Sequence, residues 1–292
     1  MDTNLIESLK RAVSIFKATR AQKLKKVPVR LIYSKILELI SRWLDKPFKV
    51  KAKTFWGEEM FLIIPEVVSL RIYRYGFHEE NLTKMILEYL KPGMTFFDIG
   101  AHIGYFTMLA SYIVGEKSMV HSFEPTPNTY EVLIQNIKRK NVITNNCAVF
   151  SKETFIRFND YGSKYSAFNT FKKARLDESI LKNLNPISVK VKTVTLDKYV
   201  KMEKCKPDFI KIDVENAELE VLQGAKDTIK EFHPIISIEV GDFDLNDKHS
   251  SECISLLNNY GYQAYEYRNN RILKHNIKNK YVYDNILFLY QK

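Results

Sequence analysis

The sequence has little of what marks disulfide-linked, zinc-binding or membrane-spanning proteins. Its 292 residues include only three cysteines, Cys147, Cys205 and Cys253, which lie far apart. No C-x-x-C pair and no cluster of cysteine with histidine occurs, so neither a disulfide framework nor a zinc site is supported. The sequence has no run of about 18 apolar residues and no signal-type segment, so we expect a cytoplasmic protein.

Two common nucleotide-binding motifs are also missing. Neither the dinucleotide motif G-x-G-x-x-G nor the P-loop motif G-x-x-x-x-G-K-[ST] occurs. Residues 96–110 instead read FFDIGAHIGYFTMLA, in which Gly100 and Gly104 lie four apart. Asp98 precedes them, and an acid there disfavours a pyrophosphate at the following helix N-terminus. A positively charged ligand suits this turn better, and S-adenosylmethionine carries an amino group and a sulfonium but no phosphate.

The net charge of +11 is concentrated at the start of the chain. Residues 1–53 hold 14 Lys/Arg and 4 Asp/Glu, whereas the remaining 239 residues hold 31 and 30. This basic segment fits three partners: its own domain, an anionic membrane surface, or an acidic partner such as an oligomer mate or a phosphorylated carrier. Nucleic acid is not expected, because the segment lacks interleaved aromatic stacking residues.

Residues 1–80 are predicted to form an N-terminal extension of two helices and a hairpin. The first helix, over residues 3–20, has an apolar face of Leu5, Leu9, Val13 and Phe16. The second, between Pro28 and Pro47, has a stripe of Ile32, Ile36, Leu39, Ile40 and Trp43. The alternating stretch FKVKAKTFWGEEMFLIIP follows and turns at Gly57, as a hairpin does.

Residues 81–292 are predicted to form a doubly wound α/β domain. Apolar strands such as TFFDIG, MVHSFEP, DFIKIDV and PIISIEV alternate with helical segments, which indicates a mostly parallel sheet with helices on both faces. The last two strands, YQAYEYR and NILFLYQ, have no helix between them and predict an antiparallel edge. An irregular insert at about 151–187 contains YGSKYSAFNTF, and we expect it to form a lid over a substrate pocket.

Polar residues follow several of these strands at the expected ligand-binding edge of the sheet. Glu124 ends the second strand, where a carboxylate accepts hydrogen bonds from ribose hydroxyls. The third strand places Cys147 and Ala148 near an adenine ring. The fourth ends at Asp213 and Glu215, which brings two carboxylates to the same edge.

Together these segments resemble the class I methyltransferases, specifically the FkbM-type family, over roughly residues 70–290. The segments that carry the resemblance are FFDIGAHIGYFT, HSFEPTPNTYEVLIQN, VTLD, DFIKIDVENAELEVLQGA, PIISIEV and DNILFL. The family's glycine turn usually reads DIGANIGY and its fourth-strand motif DVEGAE, so His102 replaces an asparagine and Asn216 a glycine. Asparagine tolerates a left-handed backbone better than most residues, so we expect the second turn to survive.

The resemblance implies a seven-stranded, Rossmann-like sheet and S-adenosylmethionine-dependent methyl transfer, commonly to an oxygen of a sugar, glycolipid or polyketide. On this interpretation His102 donates a hydrogen bond to the cofactor's carboxylate. The predicted cofactor-binding residues are Asp98, Gly100, Ala101, His102, Gly104, Tyr105, Phe106, Glu124, Pro125, Cys147, Ala148, Asp213 and Glu215.

Methyl transfer to a hydroxyl also needs a base, because the hydroxyl loses its proton as the new bond forms. The candidates are Asp213, Glu215, Glu239, His102 and the His78–Glu80 segment, and we favour Glu239 or His102. No ligand cluster demands a metal. The alternatives are an N-methyltransferase, a nucleic-acid methyltransferase and a non-catalytic binding protein on the same fold. The nucleic-acid alternative lacks support, because neither D-P-P-Y nor N-P-P-Y occurs.

Overall fold

The structure, a computed structural model, describes residues 3–172, 174, 178–182, 184–242, 249–268, 271–282 and 284–291. The predicted insert at 151–187 therefore includes five residues, 173, 175–177 and 183, that lie outside the described residues. Among the described residues, no helix combines the length and the apolar character needed to cross a bilayer.

The N-terminal region contains four helices and one hairpin. Its elements are α1 (Thr3–Lys17), α2 (Arg20–Lys26), α3 (Pro28–Leu44), β1 (Phe48–Lys53), β2 (Glu59–Ile64) and α4 (Val67–Tyr75). The predicted first helix breaks at Thr19, whose side chain caps α2 in a capping box. Helix α4 was not predicted; it begins where the Glu66 carboxylate accepts two backbone N–H groups and ends at Gly76, φ +80°.

The rest of the chain alternates helices and strands. In order they are α5 (Glu80–Tyr89), β3 (Phe96–Ile99), α6 (Tyr105–Val114), β4 (Val120–Phe123), α7 (Pro127–Asn136), β5 (Val142–Asn145), β6 (Ala148–Val149), β7 (Phe155–Asp160), a 3₁₀ turn (Ser166–Phe168), α8 (Glu178–Leu181), β8 (Ile187–Val194), α9 (Leu196–Glu203), β9 (Phe209–Ile212), α10 (Glu218–Gln223), α11 (Lys226–Phe232), β10 (Ile235–Val240), α12 (His249–Asn259), β11 (Tyr262–Arg268), β12 (Arg271–Lys274) and β13 (Asp284–Tyr290).

The central sheet has the strand order β12-β11-β13-β10-β9-β3-β4-β5. One part of the sheet is parallel and consists of the neighbouring strands β5, β4, β3, β9 and β10. The other part, which joins β10 through β13, is antiparallel and consists of β13, β11 and β12. The doubly wound α/β class and the antiparallel end are confirmed. The predicted number of seven strands is wrong, because residues 271–274 pair with β11 and add an eighth strand at the edge.

A second, three-stranded sheet with the order β6-β8-β7 covers part of the region that the sequence analysis described as irregular. The predicted third strand, which was expected to include Cys147 and Ala148, is divided in two, because β5 ends at Asn145 and residues 148–149 pair with β8 instead. Residues 155–160 form a strand along β8 rather than an irregular loop. The insert is therefore partly ordered by pairing with the strand that follows it.

One row of polar side chains crosses the middle of the central sheet. Ser122, Asp98, Lys211 and Ser237 are successive partners on β4, β3, β9 and β10, and none is more than 1% exposed. Asp98 and Lys211 belong to the otherwise apolar strands FFDI and FIKI. A buried aspartate is tolerated there because a lysine occupies the neighbouring register position.

The N-terminal region and the sheet share one hydrophobic core. Leu5 and Leu9 of α1 lie in the same buried cluster as Phe96 of β3 and Leu109 of α6. The face of α1 that was predicted to be apolar therefore packs against its own protein. The proposed division of the chain at residue 80 stays a prediction.

Candidate active site

A cavity of about 360 Å³ opens at the carboxyl ends of the parallel strands. Twelve predicted site residues line it: Gly100, Ala101, His102, Tyr105, Phe106, Glu124, Pro125, Cys147, Ala148, Asp213, Glu215 and Glu239. Its size falls within the range of small-molecule sites. Asp98 and Gly104 are not among its lining residues.

The glycine turn has the backbone that its sequence requires. Gly100 has φ +80°, and a Cβ on it would lie 1.7 Å from the backbone oxygen of Asp213. Only glycine therefore lets the ends of β3 and β9 approach so closely. Gly104 has φ +91°, and a Cβ there would lie 2.6 Å from the Cδ1 atom of Leu133. Gly104 thus serves the packing of α6 on α7 rather than the cavity wall.

His102 occupies the left-handed region with φ +48°, where asparagine and histidine are found more often than most residues. Its backbone N–H donates to Glu124 Oε2 at 3.0 Å, and its Nε2 lies 2.8 Å from Ser166 Oγ. Burial lowers the pKa of His102 to about 3, and nearby His78 and Lys211 add to the effect. A neutral imidazole of such low pKa takes up a proton poorly near neutral pH, so the structure argues against His102 as the base.

Glu124 lies at the end of β4 with its carboxylate against the cavity. Oε1 accepts the Thr126 N–H at 2.9 Å and Oε2 accepts the His102 N–H. Burial raises the pKa of Glu124 to about 7, because the opposing hydrogen bonds compensate only in part for lost hydration. Each oxygen retains a further lone pair for a ligand hydroxyl.

Asp98 was predicted to bind the cofactor, but it does not line the cavity. Its side chain is fully buried, accepts the Thr107 hydroxyl at 2.6 Å and lies 3.1 Å from Lys211 Nζ. The prediction that Asp98 contacts the cofactor directly is therefore wrong. Asp98 instead holds Lys211, which does line the cavity, through the ion pair between them.

Lys211 lines the cavity but was not predicted from the sequence as a site residue. Its Nζ lies 3.2 Å from Asp213 Oδ2 and donates to the Gly100 carbonyl at 2.9 Å. Burial opposes its charge, but Asp213 and Asp98 outweigh that penalty and hold the pKa of Lys211 above its usual range. The only sequence signal was a lysine inside the apolar strand FIKI.

Three carboxyl groups converge beside this lysine. Glu79, Asp213 and Glu239 each place an oxygen within 4.8 Å of the others, a spacing that suits a metal ion. Glu79 comes from the loop before α5 and accepts Asn285 Nδ2 at 3.0 Å. Burial raises the pKa of Asp213; Lys211 opposes this rise and Glu79 adds to it. Glu79 was among the candidate bases, but its position beside Glu239 could not be predicted from the sequence.

The fourth-strand turn adopts the predicted left-handed backbone. Glu215 has φ +49° and Asn216 has φ +74°, so asparagine takes the conformation of the family's glycine. Thr170 of the insert donates its hydroxyl to the Glu215 carbonyl at 2.7 Å. The insert therefore contacts the turn and lies over this side of the cavity.

Helix α4 supplies a wall that the sequence analysis did not anticipate. Val67 and Arg71 line the cavity, and the Arg71 guanidinium lies 5.3 Å from the centre of the Phe16 ring of α1. Since α4 itself was not predicted, these two residues could not have been assigned. The signals available were the Glu66 cap and the terminal Gly76.

Comparison with known families gives two matches. The methyltransferase FkbM domain matches residues 98–264, and the protein-L-isoaspartate(D-aspartate) O-methyltransferase domain matches residues 3–152. A hexuronic acid methyltransferase, AglP of Haloferax volcanii, is 29% identical over 161 residues, which cover 54% of this chain and 61% of that protein. The chain thus spans less than two thirds of this relative's length.

The solved structures that match this chain include methyltransferases. The FkbM methyltransferase of Methylobacillus flagellatus is 18% identical, with a TM-score of 0.41, and the match covers 76% of this chain and 52% of that one. An S-adenosylmethionine-dependent O-methyltransferase of Thermotoga maritima is 12% identical, with a TM-score of 0.41 over 86% and 81%. The FkbM domain match spans more than half of the chain and includes the glycine turn, Glu124 and the Asp213 turn, so this chain belongs to the FkbM methyltransferase family.

Proposed function

We propose that this chain is an S-adenosylmethionine-dependent O-methyltransferase that acts on a sugar hydroxyl. The observation that carries the proposal is a cavity at the carboxyl edge of the sheet, lined by the Glu124 carboxylate and by three further carboxyl groups beside Lys211. Such a site suits a ligand with ribose hydroxyls at one end and a positive charge at the other.

The residues present fit this cofactor. Gly100 would lie against the cofactor at the cavity wall, Glu124 would accept the ribose hydroxyls, and Cys147 and Ala148 would offer an apolar surface to the adenine. When bound, S-adenosylmethionine supplies a methyl group already activated on a sulfonium. The Asp98–Lys211–Asp213 set, with two acids for one base, stabilises positive charge beside it.

The chain's own task is then to orient the acceptor hydroxyl and take its proton. We assign proton uptake to the carboxylate of Glu239, which is 2% exposed and lines the cavity at the end of β10. Asp213 already forms an ion pair with Lys211, which favours a positioning role for it. Burial of these groups excludes water, which would otherwise compete for the proton and weaken the local electrostatics.

Arg71 supports an acidic sugar as the acceptor. It lines the cavity from α4, and among the described residues it has no carboxylate partner within ion-pair distance. A guanidinium in this position is suited to a carboxylate on the substrate. The relative from Haloferax volcanii is named for hexuronic acid, which carries such a group.

Calorimetric titration of S-adenosylmethionine into the wild type and Glu124→Ala tests the cofactor site. We expect clear binding by the wild type and a loss of about 100-fold or more in the variant, because two acceptor oxygens disappear from a buried site. Glu131→Ala is the matched control, since Glu131 is exposed on α7, and it should bind as the wild type does. Equal affinity of all three proteins would refute the assignment.

A carboxylate oxygen is the second candidate acceptor, because Arg71 would then hold the reacting group itself. The isoaspartate O-methyltransferase match points to the same chemistry. Methyl ethers resist mild alkali whereas methyl esters are hydrolysed by it. Carbon-13 NMR of the labelled product before and after alkali therefore separates ether, ester and N-methyl products. Loss of the label on alkali treatment would overturn the hydroxyl assignment.

A further inference from the structure

Helix α3 turns an apolar face toward solvent. The face, which we call the α3 face, consists of Val29, Ile32, Ile36, Leu39, Ile40 and Trp43. These residues recur every three or four positions, so they lie along one side of the helix. Trp43 is 83% exposed and Val29 is 75% exposed, values unusual for side chains of this size.

The opposite side of α3 anchors the helix through polar groups. Arg74 of α4 donates to Ser34 Oγ at 2.8 Å and to Glu38 Oε2 at 3.0 Å. Ser34 is fully buried and Ser41 is 3% exposed. Leu37 adds one small apolar contact with Ile64 and Leu70. The helix is therefore inverted relative to an ordinary surface helix: its serines and glutamate face the protein and its large apolar residues face outward.

Basic side chains surround the α3 face. Lys25 and Lys26 precede α3, Arg42 and Lys46 lie at its end, and all four are exposed. The segment 1–53, with 14 Lys/Arg and 4 Asp/Glu, carries nearly all of the net charge of +11. An apolar strip with a terminal tryptophan and a basic border is suited to an anionic lipid surface, where the strip enters the acyl boundary and the cations meet the headgroups.

We propose that α3 docks in the plane of an anionic lipid bilayer and holds the protein at its surface. A second copy of the chain fits the α3 face less well, because pairing two of these segments brings like charges together. Helix α1 does not serve as the anchor, since Leu5, Leu9 and Val13 are buried in the protein core. The proposal is independent of the methyl acceptor.

Vesicle co-sedimentation of the full chain tests this proposal. The probes are phosphatidylcholine vesicles with and without about one third phosphatidylserine. We expect the wild type to sediment with the anionic vesicles and to be released by high salt. Ile36→Glu should weaken binding about tenfold or more, because it places a charge in the acyl boundary. Met202→Glu is the matched control, since Met202 is 65% exposed on α9, away from α3, and it should bind as the wild type does.

Tryptophan fluorescence gives an independent readout. The chain has two tryptophans, and Trp56 is 8% exposed, so a blue shift on adding vesicles reports Trp43. Trp43→Phe should abolish the shift and retain most of the sedimentation. Failure of the wild type to bind anionic vesicles, or equal binding by Ile36→Glu, would overturn the proposal. A concentration-dependent dimer that Ile36→Glu dissociates would also overturn it, in favour of a second copy as the occupant.

Discussion

The carboxyl edge of the sheet and the N-terminal helices arrange polar and apolar side chains in opposite ways. At the edge, ionisable groups are buried: Asp98 is fully buried and Lys211 is 1% exposed. On α3, large apolar groups are exposed while Glu38 and Ser34 face inward. Buried charge is costly unless it is paired, and exposed apolar surface is costly unless something covers it. At the edge this cost is offset within the protein, because Asp98 pairs with Lys211, whereas the α3 face stays exposed, which is why we propose a lipid surface as its partner.

The contrast recurs within the N-terminal region itself. Helices α1 and α3 have apolar residues at similar spacing, every three or four positions. The stripe of α1 enters the core beside Leu109, whereas that of α3 stays outside. Periodicity alone identifies each helix but leaves open which surface its stripe meets.

The largest expected effect is on the rate of methyl transfer and comes from Glu239 at the carboxyl edge of the sheet. Glu239→Gln keeps the side-chain shape but removes the proton acceptor, so methyl transfer should slow by about 10²–10⁴-fold. Cofactor affinity should stay within about threefold, because the amide preserves most contacts. The measurement is single-turnover methylation together with calorimetry.

Glu231→Gln is the matched control for that experiment, since Glu231 is exposed on α11, and its rate should equal that of the wild type. Asp213→Asn should disturb cofactor affinity as well as rate, because it removes a partner of Lys211. A rate for Glu239→Gln close to that of the wild type would exclude this residue as the base.

The comparison of α1 with α3 predicts a difference in stability. Leu9 is 2% exposed, so Leu9→Ala should lower the free energy of unfolding by about 2–4 kcal/mol. Ile36 is 46% exposed, so Ile36→Ala should change it by less than about 0.5 kcal/mol. Urea denaturation of the two variants measures both values. Similar losses in both would mean that the α3 face packs against the protein in solution.

Sequence reasoning gave the strand and helix pattern of the sheet because buried strands and amphipathic helices have strong periodicities. Glu124 and Asp213 could be predicted to lie at the carboxyl edge because both follow strand ends, and both line the cavity there. It could not pair Asp98 with Lys211, because 113 residues separate the two and register is a property of the folded sheet. For the same reason, the position of Glu79 beside Asp213 and Glu239 could not be predicted.

The α4 wall was missed for a different reason. Residues 66–76 were given no element in the sequence analysis, and the nine-residue helix there is bounded by caps at Glu66 and Gly76. The eighth strand, at residues 271–274, is likewise short, and only its pairing with β11 defines it. Short elements carry little periodicity, so tertiary contacts decide them.

A moderate effect follows from the raised pKa of Glu124. Burial lifts that pKa to about 7, so the carboxylate is charged above this pH and protonated below it. The charged form is the better acceptor for ribose hydroxyls, so cofactor affinity should fall about tenfold between about pH 8 and about pH 6. Glu124→Gln should remove this dependence while lowering the affinity at high pH. An affinity of the wild type that is flat across this interval would contradict the assignment.

The smallest effect is expected at His102. Its pKa of about 3 keeps the ring neutral across the working range, and its backbone rather than its ring contacts Glu124. His102→Asn retains a residue that tolerates φ near +48°, so the turn should persist. We expect cofactor affinity within about threefold and a pH profile of methyl transfer without displacement. A shifted profile would show that the ring titrates with substrate present, and the base assignment would then move from Glu239 to His102.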